Sequence, residues 1–120
     1  MVFLWRWHRL RGELGLSPVE LIVLLLLTER KKYGYEITQE LKGWFDGFWI
    51  PNVGTIYHAL RRLEKKGFVT SHIQHKEEGL DRRLYTVTEK GETAIKRGVE
   101  HFRKQLEIVQ RLVSLIEKHL

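Results

Sequence analysis

No cysteine occurs among the 120 residues, which excludes both disulfides and thiolate zinc sites as sources of stability. That absence is compatible with a cytoplasmic protein, and cytoplasmic is the expected location. Long apolar runs are also missing: the longest, Leu21 to Leu27, is far short of the roughly 20 residues that span a bilayer. It reads as a buried helix, and no membrane partner is expected. The opening MVFLWRWHRLRG has no continuous apolar core and no small-residue cleavage site, so it does not read as a signal peptide. Aspartate is scarce, with only Asp46 and Asp81, each inside a turn signal, and there is no glycine-rich phosphate loop or nucleophile elbow. An enzyme is therefore not expected, nor is a cofactor. His72 and His75 invite a metal reading, but an odd spacing on a strand sends them to opposite faces, so no metal site is expected.

Positive charge is what the chain has in excess. Lysine and arginine number 21 against 15 aspartates and glutamates, a net charge of +6, with an isoelectric point near 9.7. That balance suits a polyanionic partner, although charge alone is a weak discriminator. The segment Pro51 to Gly91 sharpens it. Asn52 can cap the free N–H groups that follow it, and Val53, Ile56, Leu60 and Leu63 recur at helical spacing as a buried stripe. The opposite face then carries Thr55, Tyr57, His58, Arg61, Arg62 and Lys65, hydrogen-bonding tips mixed with cations, as suits a helix in a major groove. Gly67 ends that helix. Phe68 to Gln74 reads as a strand, HKEEGLD as a polar turn and Arg82 to Thr88 as the returning strand, with Lys76, Arg82 and Arg83 at or beside the tip. A short basic helix followed by a hairpin is the layout of a winged helix-turn-helix DNA reader.

Upstream, Ser17-Pro18-Val19-Glu20 is a strong helix start, a capping serine with proline at the first position and a glutamate placed for a capping box. This helix runs to about Arg30 and is apolar nearly all round, as a central core helix would be. A second helix is expected from Tyr35 to Trp44, with Gly34 and Gly43 marking its ends. Between it and the reading helix lie Trp44, Phe45, Phe48 and Trp49, four aromatics within six positions. They close the base of the core or form a ligand-sensing or dimer-facing patch, which makes Trp44 and Trp49 candidate ligand residues. At the amino end, Phe3, Trp7, Leu10 and Leu14 share one side of a short helix whose other side bears Arg6, Arg9 and Arg11. Packing on a partner subunit is the leading reading of this segment, with membrane-surface, DNA-backbone or disordered roles as alternatives.

Thr88 is placed to cap a last helix that continues to the chain end. Ile95, Val99, Phe102, Leu106, Val109, Val113, Ile116 and Leu120 alternate spacings of four and three, a heptad seam. A helix of about 30 residues is roughly 45 Å long, more than so small a domain can cover, so much of the seam must meet another chain. Ile108, Leu112 and Leu115 form a second stripe, available to the chain's own first helix or to a partner's N-terminal segment. Glu100, Glu107 and Glu117 among the cations argue against a membrane-surface helix.

From about Leu16 onward these residues resemble the PadR family of bacterial and archaeal transcriptional regulators, in its short form with a single C-terminal helix. The resemblance rests on Tyr33 to Ile37 (YGYEI), on Gly54 to Gly67 (GTIYHALRRLEKKG) and on Arg82 to Gly91 (RRLYTVTEKG), in the right order with the right gaps. It implies a homodimer on a palindromic operator, usually a repressor. Reading-helix roles carry over to Asn52, Thr55, Tyr57, His58 and Arg61, and wing roles to Arg82 and Arg83. Where many relatives have a serine-proline pair and a wing with glycine and proline, this chain has Pro51-Asn52-Val53 and Glu77-Glu78-Gly79-Leu80-Asp81. Some short members bind flat hydrophobic drugs in a pore at the dimer interface, and Phe102 matches the place of an aromatic that walls it. Plain dimer packing is the alternative for Phe102.

The expected architecture is mainly α with a small β-hairpin (α+β). It divides into an N-terminal amphipathic extension at 1–15, a winged helix-turn-helix domain at 16–88 and a dimerisation helix at 89–120. Double-stranded DNA, a second copy of the chain and a small hydrophobic effector are the candidate partners. The competing reading is a winged-helix module that docks proteins and binds DNA only nonspecifically.

Overall fold

A computed structural model describes residues 16–44, 52–75 and 81–120. The N-terminal extension, Lys76 and all of the aromatic connector except Trp44 lie outside the described residues. Helix α1 spans Pro18–Glu29, and the Ser17 hydroxyl accepts a hydrogen bond from the Glu20 N–H at 3.2 Å. Val19, Val23, Leu24, Leu26 and Leu27 are buried, and α1 packs against the reading helix, the last helix and the sheet. Its central place matches expectation, although Leu25 leaves one side exposed.

The chain then adds an element that its pattern does not announce. Lys32–Tyr33 forms a short strand, β1, paired antiparallel with β3 (Asp81–Val87) through Lys32 opposite Tyr85 and Tyr33 opposite Leu84. With β2 (Val69–His75) on the other side, the sheet has three strands in the order β1-β3-β2, not the two of a simple hairpin. A strand of two residues is too short for a period of two to register. Lys32 is only 1% exposed. Its ammonium lies 2.9 Å from Glu29 and 2.6 Å from Glu40, tying α1 and β1 to α2 (Gly34–Trp44). Burial disfavours its charge, but the hydrogen bonds it donates to Glu40 and Glu29 outweigh that and raise Lys32 above the ordinary lysine range.

Helix α2 buries Ile37, Thr38 and Leu41, and Glu36 accepts the Tyr33 N–H at 3.0 Å. Helix α3, Val53–Lys65, is capped by Asn52, whose Oδ1 accepts from the Thr55 N–H at 2.8 Å. Its buried stripe is Ile56, Ala59, Leu60 and Leu63. Val53, expected in that stripe, is 48% exposed, because the first turn, with Asn52 and Gly54 also exposed, projects past the core. Gly67 has φ 80° and the Phe68 N–H returns to the Leu63 carbonyl, which closes α3 and turns the chain into β2.

Helix α4 covers Glu89–His119. Thr88 caps it, accepting from the Gly91 N–H at 3.1 Å and donating to the Gly67 carbonyl at 2.7 Å. Gly91 is required by a close approach, since a Cβ there would lie 2.2 Å from the Phe68 carbonyl oxygen. Buried positions in α4 end at Gly98, which packs under Leu21 and Leu16. Ile95, assigned from sequence to the dimer seam, is buried in the domain's own core. Val99, Leu106, Val109, Val113 and Ile116 are 40–55% exposed, and Phe102 is half-buried. The second stripe does not reach α1: Ile108, Leu112 and Leu115 are all more than half exposed. Among the described residues no helix is long and apolar enough to cross a membrane.

Candidate nucleic-acid interface

On α3 the residues that bury Ile56, Leu60 and Leu63 turn Tyr57, His58, Arg61 and Lys65 outward. Asn52 is exposed beside the first turn. Its Oδ1 also accepts the Thr55 hydroxyl at 3.0 Å, so cap and hydroxyl form one local unit at the helix start. Tyr57 leans back on α2. A Cβ at Gly34 would meet the Tyr57 ring at 2.7 Å, so the glycine of YGYEI leaves room for the tyrosine of TIYHA. The ring is 38% exposed and serves packing as well as the outer face.

Arg62 departs from the other cations grouped with it in sequence. It is half-buried, and its Nε lies 3.4 Å from an oxygen of Glu20, a fully buried carboxylate on α1. The other Glu20 oxygen lies 3.2 Å from the Lys66 ammonium. Glu20 thus reaches across to the last turns of α3, and Arg62 has an in-chain counterion where a phosphate contact was expected.

The two wing arginines separate as well. Neighbouring residues on a strand face opposite sides of a sheet. Arg82 lies over the Tyr33 ring at 5.9 Å, and Tyr33 donates to Gln74, on the sheet face away from α3. Arg83 lies on the other face, where its Nη1 donates to the Ser71 hydroxyl at 3.0 Å. Ser71 in turn donates to Glu64, with distances of 2.7 and 3.0 Å to the two carboxylate oxygens.

Tyr57, Arg61, Glu64, Lys65, Arg83 and Tyr85 line a cavity of ≈ 610 Å³ between α3 and the wing. Burial pushes the Tyr85 phenol up, and Arg83, Glu64, Tyr57 and Arg61 act on it electrostatically, with Lys65 completing the lining of the slot. Three cations and two phenols against one carboxylate make a setting for an anion. Glu64, Ser71 and Tyr85 were not singled out from sequence. Ser71 stands opposite Tyr85 in the register, and Arg83 lies two positions before Tyr85, so strand parity was the signal that could have grouped the strand residues, whereas Glu64, on α3, had no such signal. Trp44 is 52% exposed at the end of α2 and does not close the core, while Trp49 is outside the described residues.

The family model for the transcriptional regulator PadR-like family matches residues 23–97. The fold is similar to that of a transcriptional regulator from Clostridium thermocellum, with a TM-score of 0.73 and 29% identity over 79% of this chain and 92% of that one. It is also similar to Bacillus subtilis PadR solved in complex with operator DNA, with a TM-score of 0.63 and 27% identity over 68% of this chain and 46% of that one. In sequence, the chain is 26% identical over 107 residues to an uncharacterised protein of Lysinibacillus sphaericus, covering 89% of this chain and 98% of that protein. It is 32% identical over 69 residues to the negative transcriptional regulator PadR of Bacillus subtilis, a stretch that is 58% of this chain and 38% of that regulator. The span matched by the family model runs from the middle of α1, through the reading helix and the wing, to the buried start of α4, and the chain belongs to the PadR-like family of transcriptional regulators.

Proposed function

We propose that the protein is a sequence-specific DNA-binding regulator, most simply a repressor, that acts in the cytoplasm as a homodimer on a palindromic operator. The observation that carries this reading is the continuity of the exposed face of α3 with the wing face bearing Arg83. Asn52 and His58 lie at the helix start and reach base edges, while Arg61, Lys65 and Arg83 neutralise phosphates. Arg62 supports the helix through Glu20, and Arg82 grips backbone from the outer wing face.

The uncovered seam from Val99 to Ile116 supplies the second half of the mechanism. A two-fold pairing through α4 presents two reading helices to successive major grooves about 34 Å apart. An effector that changes the angle between protomers changes that spacing, and affinity falls by its differential affinity for the two states. Phe102, half-buried where α4 leaves the domain, is the described aromatic best placed to feel such a ligand.

The test is a titration of the DNA upstream of the protein's own gene against a shuffled fragment of equal composition, at two salt concentrations. A preference of about a thousandfold or more is expected of specific recognition. Equal, steeply salt-dependent affinity for that duplex and for every duplex recovered by selection would sink this reading in favour of a protein-docking winged helix.

A further inference from the structure

An acidic residue on a face that meets DNA costs affinity for a polyanion, so its presence there calls for a function. Glu64 occupies such a place in the last turn of α3, beside Arg61 and Lys65 in the slot between helix and wing. Its carboxylate is the end of a directed chain: Arg83 donates to Ser71, and Ser71 donates to Glu64. The chain joins the reading helix to both long wing strands, because Ser71 is on β2 and Arg83 on β3. Only one of the five guanidinium N–H donors is used in the bond to Ser71, which leaves others for a phosphate oxygen.

We propose that Glu64 and Ser71 are positioning residues for Arg83, a brace that fixes its guanidinium as a phosphate clamp in register with the base-reading first turn of α3. The proposal rests on the DNA-reading function above and adds to it a source of specificity. Holding a side chain in its bound geometry lowers the ordering penalty on binding. That gain exists only where the backbone is seated in the slot, as in the operator complex. Binding to unrelated DNA depends on counterion release, which counts charges and not their placement. The brace therefore widens the gap between operator and random DNA, even though the Glu64 charge alone weakens binding to both.

Two substitutions separate these effects. Ser71→Ala cuts the brace and leaves every charge in place. We expect operator affinity to fall roughly threefold to tenfold, the net value of one typical hydrogen bond, with affinity for shuffled DNA unchanged within about twofold. Glu64→Gln cuts the brace and removes a negative charge, so binding to shuffled DNA tightens by up to about fivefold and the operator-to-shuffled ratio falls as in Ser71→Ala. The double variant loses no more of the ratio than either single one, as expected of residues acting as a unit. Ser71→Thr, which keeps the hydroxyl, preserves the ratio.

The probes are a duplex recovered by selection from a random DNA pool and its shuffled counterpart, with thermal unfolding of each variant in parallel. A wild-type protein that binds both duplexes alike overturns the DNA-reading function and the brace with it. A wild-type preference left intact in Ser71→Ala, or additive losses in the double variant, overturns the brace alone.

Discussion

Residues 89–98 of α4 bury Gly91, Ala94, Ile95 and Gly98 against the domain, whereas residues 99–119 continue the same apolar spacing and bury no residue within one chain. The periodicity is equal in the two lengths; the sizes of the residues are not. In the first, glycine and alanine let neighbours approach closely, as where Gly91 meets the Phe68 carbonyl and Gly98 meets the Leu21 side chain. In the second, leucine, valine and isoleucine project from a helix that has left its domain. A heptad pattern says that a face needs cover, and side-chain size helps to say whether the cover comes from the same chain or from another.

The largest effect should come from breaking the uncovered length. Leu106→Asp with Val113→Asp places two charges in the proposed seam and should weaken self-association at least a hundredfold, measured by sedimentation equilibrium. It should leave the winged domain folded, because neither side chain is buried within the chain. Persistence of the dimer would mean that another surface joins the protomers.

The domain side answers differently. Leu60→Ala removes a fully buried side chain and should destabilise folding by about 2–5 kcal/mol, seen as a lower thermal midpoint. A smaller loss, about 1–3 kcal/mol from overpacking, is expected of Gly34→Ala, whose new methyl would strike the Tyr57 ring. Its DNA affinity should fall as well, because Tyr57 sits on the reading helix, and an unchanged midpoint would deny the contact.

The smallest effect is a pH dependence. The Arg30 hydrogen bond, together with the Tyr33 N–H and the Arg30 charge, holds the Glu36 carboxyl below the ordinary carboxylate range, against the opposing effect of burial. A depressed folded-state pKa contributes stability above the unfolded value of about 4.3, and that stability is lost as pH falls through the folded value. Glu36→Gln should therefore lower stability slightly near neutral pH and flatten the acid limb of the stability curve, with the difference from wild type vanishing below the folded value. Both partners are partly exposed, so added salt should shrink the difference.

Helix starts were legible in the sequence because they depend on local chemistry. Ser17, Asn52 and Thr88 each accept a backbone N–H three residues on, as their side chains allow. The positive φ of Gly67 was equally local. Relations across distance were not legible. β1 is recognisable only through its pairing with residues some fifty positions away, and Glu20 meets Arg62 and Lys66 only after α1 and α3 pack. The division of Arg82 from Arg83 lay between these cases, since strand parity was visible but the partners on each face were not. Ile95 fits the seam by spacing, and only the packing of α1 on α4 shows which neighbour covers it.

The most direct measurement is selection of duplexes by the wild-type protein from a random DNA pool. Two-fold presentation of two reading helices predicts inverted repeats with half-site centres about one helical turn, roughly 10 base pairs, or a multiple of it apart. It also predicts that the Leu106→Asp, Val113→Asp variant enriches no such repeat. No enriched sequence, or a single unrepeated half-site recovered equally by the wild type and the variant, would contradict the account.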